Sequence, residues 1–182
     1  MEKVTTHKIE GLLSFCPKTF EDNRGNFFEA FNQDLFNEFV GRNVSFVQDN
    51  QSVSKKNVLR GLHFQCPPHA QGKLVRVIAG KALDVAVDLR KKSSTYGQYV
   101  AVELTAENNI VFWIPEGFAH GFVALEEQTI FSYKCTNYYN KTSEDCLMWN
   151  DTDLNIDWKI KQPIISDKDK EGKAFLNYHS PF

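Results

Sequence analysis

Apolar and polar residues alternate in short runs along most of the chain, the period of half-buried β-strands rather than of helices. After Val44 the runs are VSFVQDNQSVS, VLRGLHFQ, KLVRVIAG, KALDVAVDLR, YGQYVAVELT, NIVFWIP, HGFVALE and TIFSYKCTNYY. Turn-forming residues separate them at Ser54 to Asn57, Cys66 to Gly72, Gly80, Lys91 to Gly97, Ala106 to Asn109, Pro115 to Gly117 and Glu126 to Gln128. Ahead of them, residues 1–20 predict an opening strand pair punctuated by Gly11 and closed by Pro17, and FEDNRGNFFEAF predicts a turn over Asp22 to Gly25. One segment has helical spacing instead. Leu35, Phe36, Phe39 and Val40 recur on one face of QDLFNEFV, with Asn32 as N-cap and Gly41 as terminator.

Short strands at regular spacing, without the helices that parallel crossovers need, predict an all-β antiparallel jelly-roll sandwich or barrel with one or few short helices. The 182 residues fit one domain, 1–182, and the more polar tail from Ser143 to Phe182 reads as loops and short turns packed on it. Composition supports this reading, because 15 Phe in a 13% aromatic total favour strands over a helical bundle. A formal net charge of -2 gives no footprint for nucleic acid or an anionic membrane, so an anionic ligand has to be met by a local pocket. No run approaches the roughly 18 apolar residues of a membrane span, and a cytoplasmic location is expected. Cys16, Cys66, Cys135 and Cys146 are scattered without a CxxC pair, which predicts reduced packing residues rather than a zinc site.

Strand parity sorts the polar residues by face. Lys73 shares its face with Val75, Val77 and Ala79, although both faces of that strand are partly apolar. Asp84 and Asp88 share a face with Ala82 and Ala86, compatible with a solvated acidic face and with burial only if partners neutralise the charges. Arg60 and His63 fall on opposite parities. They reach one cavity only if Gly61 marks a bulge or kink, or if one of them serves a neighbouring subunit.

The densest chemistry lies in VLRGLHFQCPPHAQGK, Val58 to Lys73. PEGFAH, Pro115 to His120, has the PxGxxH form that resembles the second motif of cupin metal sites, but the HxH pair of the first motif is here His63, Phe64, Gln65. An amide replaces one imidazole, and the Lys73 ammonium would repel a dication nearby, so no metal is expected. Metal-free proton transfer is the stronger reading. His63 would serve as base, Lys73 as a fixed cation beside an enolate oxygen, His120 as donor and Tyr133 as a phenolic acid. Arg24 and Arg60 suit phosphates, Gln48, Asp49 and Asn50 suit hydroxyls or a base, and Tyr138 and Tyr139 suit a planar ring. His69 reads as a loop histidine.

In order along nearly the whole chain, FEDNRGNFFEAF, FVQDNQSVS, VLRGLHFQ, QGKLVRVIAGKALDVAVDLR, IPEGFAHGF, FSYKCTNYY, WNDTDLNIDW and ISDKD resemble the dTDP-4-dehydrorhamnose 3,5-epimerase family, of RmlC type. The resemblance implies a cofactor-independent, cupin-like jelly roll, a homodimer, that acts on a dTDP-linked 4-keto-6-deoxy sugar in nucleotide-sugar synthesis for rhamnose-containing glycans. It implies His63 as the base at C3 and C5, Asp169 as its orienting carboxylate, Lys73 at the enolate oxygen and Tyr133 as the acid on the opposite face. It also implies substrate contacts from Arg24, Glu29, Gln48, Asp49, Asn50, Arg60, His120, Glu144 and Lys168, with Tyr139 stacking on thymine. A C3-only epimerase, a metal-dependent cupin enzyme and a non-catalytic sugar-nucleotide binder are the alternatives.

Overall fold

Two antiparallel sheets face each other, and the alternation along their strands decides what lies between them. The structure, a computed structural model, describes residues 3–182. In chain order its elements are β1 (Lys3–Thr6), β2 (Leu13–Cys16), β3 (Thr19–Asp22), β4 (Gly25–Phe28), α1 (Gln33–Val40), β5 (Gln48–Ser54), β6 (Leu59–Gln65) and β7 (Lys73–Ala79). They continue with β8 (Lys81–Asp88), β9 (Tyr99–Thr105), β10 (Val111–Ile114), β11 (Phe118–Ala124), β12 (Thr129–Cys135), β13 (Glu144–Cys146) and α2 (Asp167–Lys170). One sheet runs β1-β2-β10-β7-β12-β5, the other β13-β6-β11-β8-β9, and β3 pairs with β4 as a separate hairpin. This is the predicted all-β jelly-roll architecture.

The expected elements recur with trimmed ends. Val44 to Val47 and Thr136 to Tyr139 lie outside strands, and the tail adds β13 and α2 to its loops. Helix α1 follows its sequence signals closely. The Asn32 side chain accepts from the backbone N–H groups of Asp34 and Leu35, and Gly41 closes the helix in the left-handed conformation at φ 73°.

Parity then distributes the core. Val75 and Val77 of β7 with Phe112 and Ile114 of β10 meet Ala82, Ala86, Phe118 and Phe122 between the sheets. Leu74, Val111 and Trp113, on the alternate positions, pack outward under Phe36 of α1. On the back of the other sheet Leu83, Val85 and Val87 are covered by Leu147, Leu154 and Trp158 of the tail. Strand β8 is therefore buried on both faces, which places Asp84 and Asp88 in the interior at 0% exposure and rules out a solvated acidic face.

Each carboxylate has partners there. Asp84 Oδ2 accepts from His120 Nε2 at 2.8 Å. Asp88 accepts from Arg90, Ser93 and Thr95. Burial pushes the Asp88 carboxyl up, but those donors outweigh it and lower its pKa from 3.8 to about 2. A depressed carboxylate stabilises the fold above its unfolded pKa, and that contribution fades as pH falls through the folded value. Asp88→Asn is expected to remove about 2 kcal/mol at neutral pH. Denaturation at pH 7 and near pH 2 checks this; a deficit that stays equal at both would show that the charge is not its origin.

Candidate active site

Gly61 resolves the parity conflict between Arg60 and His63. Strand β11 pairs His120 with His63 and Phe122 with Arg60, so three steps along β6 span two along β11, a bulge centred on Gly61 and Leu62. Gly61 sits at φ 136°, and a Cβ there would lie 2.5 Å from the Gly121 Cα, so only glycine permits this approach. The extra residue turns Arg60 and His63 toward one space within a single chain, as the sequence required of a bulge.

That space lies between the sheets. A cavity of about 280 Å³ is lined by Asn50, Ser52, Arg60, His63, Lys73, His120, Phe122 and Tyr133, among others. An adjoining lobe of about 320 Å³ shares Asn50, His63, Lys73 and Tyr133 and adds Gln48, Gln65, Gln71, Tyr139 and Glu144. Strands β6 and β11 bring His63 and His120 from one sheet, while β7 and β12 bring Lys73 and Tyr133 from the other. Phe122 stacks on Phe131 across the gap, with ring centroids 3.9 Å apart.

His63 is oriented from the tail. Its Nε2 meets Asp169 Oδ1 at 2.6 Å, and Asp169 Oδ2 accepts from the Gly61 N–H at 3.5 Å. Ser166 caps α2 and its hydroxyl accepts from the Asp169 N–H, fixing this carboxylate at the end of the ring. Burial raises the Asp169 carboxyl, yet the hydrogen bond and charge of His63, with the Gly61 and Ser166 donors, bring it below the ordinary carboxylate value. An ionised Asp169 holds the proton on Nε2 and leaves Nδ1 as the accepting nitrogen.

The other titratable groups are tuned mainly by burial. Lys73 is buried, which pushes its ammonium pKa down against the opposing pull of Cys135, Asp84 and Glu144, and its Nζ donates to the His63 carbonyl at 3.3 Å. Burial lowers His120 as well, more than Asp84 raises it, leaving a neutral imidazole. Tyr133 is pushed up to about 12 by burial, so its phenol is protonated at neutral pH and able to donate.

At the mouth, Tyr139 donates its hydroxyl to Glu144 Oε2 and its backbone N–H to Gln48 Oε1, each at 2.9 Å, and its ring is exposed. Glu144 also pairs with Lys168, which joins that lysine to the lobe. Three residues named by the resemblance lie elsewhere in the chain. Asp49 points to the other face of β5, where it pairs with Lys134 at 3.0 Å. Arg24 pairs with Asp22 on the β3–β4 hairpin, and Glu29 accepts from Asn32 just after it.

Asp84 is a participant that sequence reasoning left undecided, and the small Ala82 and Ala86 on its face were the available signal. Phe122, Ser52 and Gln71 entered the lining without any local signal. Gln65, which stands where the first cupin motif has its second imidazole, has its amide committed to the backbone: it donates to the His69 and Tyr138 carbonyls and accepts from the Asn140 N–H. The arrangement suits removal of a proton by one sheet and its delivery by the other, beside a buried cation.

The sequence model described as dTDP-4-dehydrorhamnose 3,5-epimerase matches residues 6–177. Among curated relatives, the dTDP-4-dehydrorhamnose 3,5-epimerase of Salmonella typhimurium is 57% identical over 162 residues, 88% of each chain. That of Shigella flexneri is 53% identical over 170 residues, covering 93% of this chain and 94% of the relative. A crystal structure of dTDP-6-deoxy-D-glucose-3,5-epimerase RmlC from Legionella pneumophila, in complex with dTDP-4-keto-L-rhamnose, superposes with a TM-score of 0.94 at 45% identity, covering 97% of this chain and 94% of that one.

Proposed function

We infer the roles of individual side chains from the premise that the chain belongs to the dTDP-4-dehydrorhamnose 3,5-epimerase family and is an isomerase of that activity. The substrate is a dTDP-linked 4-keto-6-deoxy sugar, converted by inversion at the two carbons flanking its C4 ketone. His63 Nδ1 takes the proton from C3 or C5, and the electron pair moves onto the ketone oxygen as an enolate. Lys73 stabilises that oxygen, and the protonated Tyr133 returns a proton to the carbon from the opposite face. Deprotonation and reprotonation from two sides invert the centre, and His63 and Tyr133 then regain their starting states by exchange with solvent. The observation that carries this reading is the placement of His63 and Tyr133 on opposing sheets across one cavity.

His120, held by Asp84, and Asn50 face the sugar in the cavity, while Arg60 meets the diphosphate. Tyr139 offers its exposed ring to thymine, with Gln48, Glu144 and Lys168 around it. Arg24, Glu29 and Asp49 have no place in their own chain's cavity, and Phe20 and Phe27 on the β3–β4 hairpin are 55% and 70% exposed. This supports a homodimer in which the hairpin serves the neighbouring subunit. A monomeric sedimentation value for fully active enzyme would remove that part of the reading. Among the described residues no helix is long and apolar enough to cross a membrane, and with four free thiols a cytoplasmic site fits best.

Incubating the metal-free protein with the dTDP-linked 4-keto-6-deoxyglucose in deuterated water is expected to place deuterium at both C3 and C5. Label at C3 alone would assign a C3-epimerase instead.

A further inference from the structure

We propose that His63, Asp169 and Cys146 form an inhibitory site for a soft divalent cation of the zinc type. Cys146 of β13 is the direct register partner of His63 on β6, so the two side chains leave the sheet on the same face. One ligand atom from each of the three residues lies within 4.8 Å of the others. A tetrahedral zinc ion with bonds of about 2.0–2.3 Å holds its ligands within this range of separations, and imidazole, thiolate and carboxylate are its ordinary donors. Asp169 and Cys146 are buried, while His63 opens onto the cavity, which leaves the fourth position to water or substrate. The site differs from the cupin one, whose Gln65 position is committed elsewhere.

The Cys146 thiolate and the Asp169 carboxylate as ligands offset the Lys73 ammonium, whose Nζ donates to the His63 carbonyl beside the site. Burial pushes the Cys146 thiol up to about 12, and the nearby Asp169, Asp145 and Glu144 carboxylates push the same way against Lys168. Burial is the largest cause, so the metal has to displace a tightly held thiol proton, and occupation strengthens as pH rises. On binding, the thiol releases one proton to solvent and its sulfur bonds the metal. The His63 proton moves from Nε2 to Nδ1 as Nε2 becomes a ligand, and Asp169 exchanges its hydrogen bond for a metal bond. Two anionic ligands then neutralise the ion. The occupied Nε2 and protonated Nδ1 leave His63 unable to accept a substrate proton, a consequence that rests on its assignment as the base.

Cobalt(II) serves as the spectroscopic probe and zinc as the inhibitor, with the full-length wild type, Cys146→Ala and Cys146→Ser, all metal-free at the start. The wild type is expected to show a thiolate-to-cobalt charge-transfer band and loss of epimerisation with zinc. The variants are expected to keep basal activity, lack the band and need roughly tenfold more zinc or beyond for half-inhibition. Equal zinc sensitivity in all three proteins, or a wild-type cobalt spectrum without a thiolate band, would overturn the site. Metal-free wild type that takes up no solvent deuterium at C3 or C5 would instead overturn the epimerase reading on which the inhibition rests, while the cobalt spectrum still decides the site.

Discussion

His63→Ala is expected to reduce turnover by roughly 10²–10⁴-fold, the usual contribution of a positioned general base. Loss at both carbons should be equal on the proposal that one imidazole serves C3 and C5 in turn. The substitution removes a half-buried ring that lines an open cavity, so the thermal midpoint should move far less than for a core deletion. Substrate KM should change little, since the imidazole works on the proton in flight rather than on the bound nucleotide. Rates of deuterium uptake at C3 and C5, read separately, check this. Activity within tenfold of wild type at either carbon would mean that another group removes that proton. His120 is the only other histidine lining the cavity among the described residues; its Nε2–H is committed to Asp84, and burial lowers its pKa, working against the imidazolium a base must become.

The architecture was legible wherever local periodicity and burial agreed. Asn32, the helical spacing of Leu35, Phe36 and Phe39, and Gly41 specified α1 without outside help, as the cap hydrogen bonds bear out. The β8 acidic face was ambiguous for a physical reason. Alternation says that Asp84 and Asp88 share a side, but only the layering of a second sheet on one face and the tail on the other decides that both sides are inside. The Arg60 and His63 problem was posed correctly by parity, and its solution needed the long-range contact between Gly61 and Gly121. Asp169 lies 106 residues from His63 on a one-turn helix, and nothing in local pattern announces such a partner. It entered through family resemblance alone. Strand β13 was hidden for the same reason, being three residues that become a strand only by pairing with β6. Arg24 and Glu29 mark where a single chain stops being informative, since both are engaged on or just after the β3–β4 hairpin and line no part of their own chain's cavity.

Lys73→Met separates catalysis from stability most sharply. Methionine keeps much of the unbranched stem between Val75 and Cys135 while deleting the ammonium that faces the cavity. Loss of the enolate cation is expected to lower kcat by roughly 10²–10³-fold, the scale of removing one preorganised donor from a developing oxyanion. Stability should move the other way. Burial holds the Lys73 pKa below its ordinary value, which means that folding works against its charge at neutral pH. A neutral side chain of similar length relieves that penalty, so the thermal midpoint is expected to stay level or rise even as activity collapses. The hydrogen bond lost at the His63 carbonyl, 3.3 Å long, is too weak to reverse the sign. Turnover within threefold of wild type would exclude Lys73 as the enolate cation. A large fall in thermal midpoint together with lost activity would show instead that the ammonium is structural, holding β6 against β7 through that carbonyl.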